Sequence, residues 1–348
     1  MNPVSMRARA ETETIAVGVP PTTIALRTHA LQADLGGLAL EEIPIPRLAA
    51  HEVLVRVHAA SIGFPDLLMT HGGYHFKPEL PFTGGMDVAG VVVALGAGVE
   101  HVGIGEAVTA MNRTGGFSQY AVYPAGAVMA KPASLTFAQA AALGSAYLTA
   151  YVALVRCADI KAGEWLLVHG ASGGVGLAAV DLGRALGARV IAAASSRAKL
   201  DTIAAEYSPA ALLESRPGFH EQARAITGAG AQVIFDPVGG DTFTESTRCI
   251  GFGGRLLVVG FASGNIPSIA TNIALLKGFS VVGVRAGEYG RRFPDRGREN
   301  KAAIQSLALA GRIRPRVHAQ LPLSRWREGF QMLRERAVIG RVVLLPQE

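Results

Sequence analysis

The sequence predicts an α/β protein of two domains, a doubly wound parallel sheet and a β-rich lobe, on three observations. Residues 165–199 read as strand, glycine turn, helix and strand. Further apolar strand-like runs follow at 232–236, 255–260 and 280–284, separated by amphipathic segments. Ahead of them, short runs punctuated by glycine and proline show no helical period, which marks β-structure.

The βαβ unit organises the chain. Residues 165–169 form a short apolar strand, and the next seven residues hold Gly170, Gly173, Gly174 and Gly176, a density that helix and strand interiors do not tolerate. Val175, Ala179, Leu182 and Leu186 recur at three- and four-residue spacing and so share one helix face. Gly187 ends that helix, and residues 189–194 resume the β pattern. The turn Ala171, Ser172, Gly173, Gly174, Val175, Gly176 is a G-x-G-x-x-G pattern with alanine in first place. Gly173 admits a pyrophosphate to the backbone, Gly176 lets the helix pack on the strand, and the helix N-terminus offers N–H groups and a positive dipole end. A dinucleotide site is therefore expected. After the second strand an NAD site usually carries a carboxylate for the ribose 2′-hydroxyl, which would repel a 2′-phosphate. Here Ser195, Ser196, Arg197 and Lys199 precede the first acid, Asp201, so NADPH is the expected cofactor. The plainer reading, that Arg197 and Lys199 only begin a solvated helix, stays open.

Composition narrows the class. The chain of 348 residues suits two domains, and 49% hydrophobic against 17% charged residues leaves no sign of disorder. The net charge of +6, from 33 basic and 27 acidic residues spread along the chain, fits anionic cofactors or substrates better than nucleic acid. Cys157 and Cys249 form neither a disulfide framework nor a zinc knuckle, which points to core residues of a reducing, cytoplasmic protein. Residues 1–22 lack the apolar core of a signal peptide and read as a flexible extension. Residues 137–155 carry no charge over a length that nearly spans a bilayer. Alanine, serine, threonine and Gln139 dilute them, so a buried helix is expected rather than a membrane segment.

In order, strand-like runs at 23–27 and 52–57 flank a proline turn at 43–47, and a valine-rich run occupies 88–95. These belong to a β-rich domain over 23–147, followed by a nucleotide-binding domain over 148–287. The tail, 288–348, is expected to form helices at 300–310 and 324–336 and a strand at 341–345, and to return to the first domain.

Several separate stretches resemble the zinc-independent, NADPH-dependent quinone oxidoreductase branch of the medium-chain dehydrogenase/reductases. They are residues 64–69 (FPDLLM), 81–90 (PFTGGMDVAG), 146–150 (AYLTA), 169–176 (HGASGGVG), 235–240 (FDPVGG) and 259–264 (VGFASG). The resemblance, which covers nearly all of the chain from Thr23, implies a Rossmann domain, and a GroES-like catalytic domain completed by the C-terminal segment. It implies that Tyr74 lies by the nicotinamide, although a packed aromatic at the edge of the lobe is an equal alternative. It assigns Thr149 to the nicotinamide ribose, Gly260, Phe261 and Ala262 to the ring, and Ser196 and Lys199 to the 2′-phosphate. Val238 and Arg341 complete the cofactor set. Zinc-dependent relatives carry a cysteine at Gly63 and a histidine at Met86, and neither residue here replaces those ligands. His71 and His75, four apart around two glycines, read as loop residues rather than a metal pair. The chain also departs from its own branch, with Gly63 for a usual asparagine, Ser215 for a frequent tyrosine near the adenosine phosphate, and Arg285 for a common aromatic.

The implied activity is hydride transfer from NADPH, without zinc, to a quinone or an α,β-unsaturated carbonyl, whose carbonyl oxygen delocalises the incoming charge. Water or Tyr74 would supply the proton, and Asp66 is a second catalytic candidate, with a turn role as its alternative. An enoyl-CoA reductase is a rival reading, because Arg285, Arg291, Arg292, Arg296 and Arg298 offer charge for CoA phosphates. A rival of another class is an NADPH-binding protein with a structural or nucleic-acid-binding role and little turnover. The expected partner is an electrophilic small molecule, and the resemblance also implies further copies of the chain, as a homodimer or homotetramer. The edge strand at 280–284 would join them, since an exposed valine-rich edge otherwise invites aggregation.

Overall fold

The computed structural model describes residues 14–15 and 18–348, so most of the expected 1–22 extension lies outside the described residues. Within that stretch Thr14–Ile15 pairs antiparallel with Leu95 and Ala94, and the strand Thr22–Thr28 begins at its last residue. The chain divides into two compact units. One comprises residues 132–319 and 331–342, the other residues 1–131, 320–330 and 343–348.

The first of these units is a Rossmann fold. Its six-stranded sheet has the order Ala211–Glu214, Arg189–Ala194, Trp165–Val168, Ala231–Asp236, Ile250–Val258, Ser280–Gly283, with every neighbouring pair parallel. The inner strands are covered on both faces and therefore read as unbroken apolar runs, such as the wholly buried Trp165–Val168. Helices Gly174–Ala185, Arg197–Tyr207, Phe219–Thr227 and Asp241–Cys249 connect them. Chain order reverses between Trp165–Val168 and Ala231–Asp236, the switch point at which open parallel sheets bind ligands. The His169 N–H donates to the Phe235 carbonyl at 3.0 Å and carries the ladder up to that point.

The boundary between the units lies at Pro132, earlier than the expected 147. The apolar stretch is helix Phe137–Tyr151, which continues as the π-helical Val152–Cys157. It is long and apolar enough to cross a membrane, but 67% of its apolar window is buried inside this protein, as a core helix would be. Gln139 proves to be a cap rather than a diluent. Its N–H donates to Thr136 Oγ1 at 3.2 Å, and its Oε1 accepts the Thr136 N–H at 3.0 Å. The helix is tied to its neighbour through the fully buried Asp181, whose Oδ2 accepts Tyr147 Oη–H at 2.7 Å and the Arg314 N–H at 2.5 Å. Burial raises the Asp181 carboxyl and, with the carboxylate beside it, the Tyr147 phenol. Tyr207 Oη in turn donates to the Arg314 carbonyl at 2.8 Å, so three helices and the 312–316 segment meet at one buried point.

The other unit has an eight-stranded antiparallel-rich sheet ordered Val317–Pro322, Arg341–Leu345, Glu52–Ile62, Asp87–Leu95, Ala107–Met111, Val128–Ala130. Thr14–Ile15 and Tyr120–Pro124 pair off this path. A second sheet joins Leu38–Pro44, Thr22–Thr28 and Phe82–Thr83. The tail expected to return as one piece is divided: only residues 320–330 and 343–348 belong to this unit. The tail's last strand is Arg341–Leu345, as expected. Its helices Pro294–Leu309 and Trp326–Arg334 fall where 300–310 and 324–336 were expected, the first starting six residues earlier, and helix Ala286–Arg292 and strand Val317–Pro322 were not expected. Gln347 closes the return by donating to the Val57 carbonyl at 3.0 Å and the Gln119 carbonyl at 2.8 Å.

Helix Gly174–Ala185 meets its turn too closely for any side chain at Gly176, where a Cβ would stand 2.1 Å from the Gly170 oxygen and 2.7 Å from its carbonyl carbon. Both obstacles are backbone and cannot step aside. Gly176→Ala is therefore expected to lower the thermal midpoint by several degrees or to abolish soluble protein, a cost of about 2 kcal/mol or more. An unchanged midpoint in a calorimetric scan would show that the helix can slide.

Candidate cofactor site

The glycine turn sits at the C-terminal end of Trp165–Val168. Gly170 adopts φ +56°, a left-handed conformation that glycine takes without strain. The Gly173 N–H bonds back to the Gly170 carbonyl at 2.9 Å, and the Ala171 N–H donates to the Ala193 carbonyl at 2.9 Å, fastening the turn to the next strand. Gly173 is the helix N-cap and has no side chain with which to cap, so the first-turn N–H groups stay directed outward. A Cβ at Gly173 would have only the Gly170 oxygen near it, at an ordinary 3.4 Å. The fold therefore leaves room for a side chain there. Val175, in the first helical turn, is half-buried.

Arg341 lies over this helix N-terminus. Its Nε is 2.7 Å from where a Cβ on Gly174 would stand, its Nη2 donates to Ser145 Oγ at 3.1 Å, and the residue is 6% exposed. A buried guanidinium beside the positive end of a helix is two like charges together, an arrangement that an anion such as a pyrophosphate makes favourable. Next to it, the Gly340 N–H donates to the Ser172 carbonyl at 2.8 Å and locks the two segments together. Thr149 is half-buried one turn after Ser145 on the same helix, hence on the same face.

The expected 2′-phosphate end contains one more residue than the sequence reading named. Lys199 Nζ reaches Ser195 Oγ at 3.4 Å and the Arg336 carbonyl at 2.6 Å. Arg336 has φ +55° and donates from Nη2 to the Ala262 carbonyl at 3.1 Å. Burial and the Arg336 charge lower the Lys199 pKa, as expected of two cations placed together. Ser196 caps helix Arg197–Tyr207 with its backbone while its hydroxyl makes no cap bond. Arg197 turns away, exposed, onto Asp201 at 2.8 Å. Ser215 bonds through its N–H to the Ala194 carbonyl at 2.9 Å and so stands beside Ser195.

The third wall follows Ala231–Asp236. Asp236 Oδ1 accepts the N–H groups of Val238 at 2.8 Å and Gly239 at 3.0 Å, folding the chain sharply after the strand. The Ala262 N–H donates to the Pro237 carbonyl at 3.0 Å, which holds the Gly260–Phe261–Ala262 loop against that turn. A Cβ on Gly170 would lie 3.4 Å from Val238 Cγ2, so Val238 faces the glycine turn. Arg341, the glycine turn, Val238, Ala262, Arg336 and Lys199 thus form one continuous arc at the strand ends.

The two catalytic candidates belong to the other unit. Asp66 is 3% exposed; its Oδ2 accepts the Gly63 N–H at 2.8 Å and its Oδ1 the Gly85 N–H at 3.1 Å. With both oxygens accepting backbone amides, the carboxylate is placed as the tether of this turn, the alternative left open for it. The half-buried Tyr74 stands against the His75 ring with centroids 4.2 Å apart. His71 and His75 are exposed on their loop. At the positions that hold zinc in relatives, Gly63 has no side chain and Met86 contributes its carbonyl to the Asn112 N–H at 3.0 Å. Glycine and a thioether do not fit a zinc site, and among the described residues no group of three His, Cys, Asp or Glu side chains gathers elsewhere.

These two folds define a class of two-domain oxidoreductase. Residues 49–133 match the alcohol dehydrogenase GroES-like domain, and residues 174–305 match the family described as zinc-binding dehydrogenase. Quinone oxidoreductase-like protein 2 homolog of Nematostella vectensis is 37% identical over 301 residues, 85% of this chain and 82% of that protein. Quinone oxidoreductase-like protein 2 of Bos taurus is 34% identical over 310 residues, 88% of each. A solved mycobacterial structure complexed with NADPH superposes with a TM-score of 0.85 at 27% identity, covering 93% of this chain and 100% of that one. The chain belongs to the quinone oxidoreductase family of the medium-chain dehydrogenase/reductases, and it is an oxidoreductase.

Because the fold leaves room for a Cβ at Gly173, Gly173→Ala is expected to keep the thermal midpoint of the unliganded protein while weakening dinucleotide binding by about tenfold or more. Calorimetric titration with NADPH checks it, and unchanged affinity would remove the pyrophosphate from this turn.

Proposed function

We propose that this protein is an NADPH-dependent reductase that delivers a hydride to a quinone or an α,β-unsaturated carbonyl without a metal. The observation that carries the cofactor choice is the pair Lys199 and Arg336 beside Ser195, at the strand end where an NAD site carries an acid. The nearest acids are engaged elsewhere, Asp201 by Arg197 and Glu214 by Arg216. Bound NADPH supplies the hydride. The glycine turn and Arg341 hold its pyrophosphate, the Lys199–Arg336 pair its 2′-phosphate, and the Val238 and Gly260–Ala262 segments its nicotinamide end. Tyr74 faces the acceptor and orders the proton that follows the hydride. A conjugated carbonyl spreads the incoming charge onto oxygen, so positioning carries most of the rate and no Lewis acid is required.

A CoA thioester is the weaker substrate reading, because four of the five arginines that favoured it, all but Arg285, are engaged. Arg291 and Arg292 pair with Glu288 at 3.0 Å each, Arg298 pairs with Asp295, and Arg296 donates to Tyr289 Oη at 3.1 Å.

The phosphate site is tested by steady-state rates with 9,10-phenanthrenequinone. Lys199→Ala and Arg336→Ala are each expected to lower kcat/KM for NADPH by about 10- to 100-fold, the worth of a charge-assisted contact, and to leave NADH turnover within about twofold. Equal losses with both cofactors would place the 2′-phosphate elsewhere.

We also infer a homodimer built on the edge strand Ser280–Gly283. Around it Phe252 is 89% exposed and Leu275 and Leu276 80% each, more apolar surface than a free edge carries. The double change Leu275→Asp with Leu276→Asp is expected to yield a monomer in analytical ultracentrifugation. A monomeric native protein would contradict the interface.

A further inference from the structure

The loop at 112–116 carries a cation mounted on the Phe76 ring, without an ion pair among the described residues. Asp66, by bonding both Gly63 and Gly85, joins the start of helix Phe64–Met69 to the strand-turn segment at 83–86. That segment in turn fastens the loop at 112–116. The Asn112 N–H donates to the Met86 carbonyl at 3.0 Å, the Gly115 N–H to the Thr83 carbonyl at 2.8 Å, and the Gly116 N–H to the Gly85 carbonyl at 3.0 Å. Arg113 rises from this held loop. Its own N–H is occupied by Asn112 Oδ1 at 2.8 Å, and its exposed guanidinium lies 4.4 Å over the centre of the Phe76 ring. Among the described residues it has no ion pair, unlike Arg27, Arg156 and Arg255. Phe76 follows directly in sequence on Tyr74 and His75, whose rings pair with centroids 4.2 Å apart.

We propose that Arg113 is a specificity-determining residue which selects aromatic acceptors bearing an anionic substituent, a carboxylate or sulfonate, with the flat body of the acceptor along the Tyr74–His75–Phe76 rings. A guanidinium stacked on an aromatic face keeps its edge N–H groups free for a planar or tetrahedral oxyanion, and stacking holds it at a fixed height without a carboxylate partner. The 71–80 loop carries one cation, Lys77, and one acid, Glu79, so Arg113 sets the sign of the charge offered to a ligand. The proposal rests on Tyr74 marking the acceptor side, as set out above for the reductase.

The test compares 1,2-naphthoquinone with 1,2-naphthoquinone-4-sulfonate, using the full-length protein and NADPH. The Arg113→Ala variant is expected to lose about tenfold in kcat/KM for the sulfonate and to stay within about twofold for the neutral quinone; Arg113→Glu loses more on the sulfonate alone, and Arg113→Lys recovers part of it. A parallel fluorescence titration of 2-naphthoate onto the NADPH-loaded protein reads binding without turnover. Equal losses on both quinones, or none on either, together with 2-naphthoate affinity unchanged by Arg113→Ala, would overturn the assignment. Should the native protein reduce neither quinone while 2-naphthoate still binds in an Arg113-dependent way, the reductase fails and the anion selectivity of Arg113 stands.

Discussion

The Rossmann unit depends on the contact between Gly176 and the backbone of Gly170. Because nothing intervenes at that point, the first turn of helix Gly174–Ala185 can lie directly against the end of strand Trp165–Val168. Its free N–H groups then open at the switch point of the sheet, and Arg341 can lie flat across Gly174. The same contact that packs the helix therefore concentrates positive potential, from a dipole end and a guanidinium, where a pyrophosphate would lie. Packing and the opening of the helix N-terminus are one feature here, whereas Gly173 is a glycine that packing does not require.

The other unit is organised around a carboxylate. Zinc-dependent relatives use the segments around Gly63 and Met86 to hold a metal; in this chain Asp66 draws Gly63 and Gly85 together through two backbone amides. A tether of this kind orders the turns at Gly63 and Gly85 and offers no Lewis acid. The reductase proposed above needs none, because a conjugated acceptor takes up the incoming charge itself.

Much of the sheet was legible in the sequence, since buried parallel strands read as dense apolar runs. Strands Arg189–Ala194 and Arg341–Leu345 have the bounds their composition suggested. Strand Ile250–Val258 starts five residues before the expected 255, because Gly251, Gly253 and Gly254 interrupt the apolar run where the register also slips against Ala231–Asp236. Strands as short as Phe82–Thr83 and Val128–Ala130 have no room to show a period. The unit boundary was displaced because residues 137–151 are apolar on every side, and such a helix does not reveal its partner. At the cofactor site the glycine turn, Lys199 and Arg341 were readable from motif and resemblance. Arg336 was not. Its place rests on a left-handed backbone and on the return of residues 331–342 to the nucleotide-binding unit, neither of which leaves a local trace. Arg197 was readable as a phosphate candidate because it is basic and near the strand end; it is exposed and pairs with Asp201 one turn later, a partner whose i,i+4 spacing the sequence also shows.

The central claim, that this chain couples the nucleotide site to reduction of a conjugated carbonyl, is tested most directly by a single turnover. The protein, loaded with one equivalent of NADPH, is mixed in a stopped-flow instrument with 1,4-benzoquinone, and the nicotinamide absorbance is followed. Complete loss of the reduced-cofactor signal, faster than free NADPH reacts with the same quinone, is the expected result. Retention of bound, unoxidised NADPH with every quinone and enone tried would contradict it and leave a protein that binds the cofactor without using it.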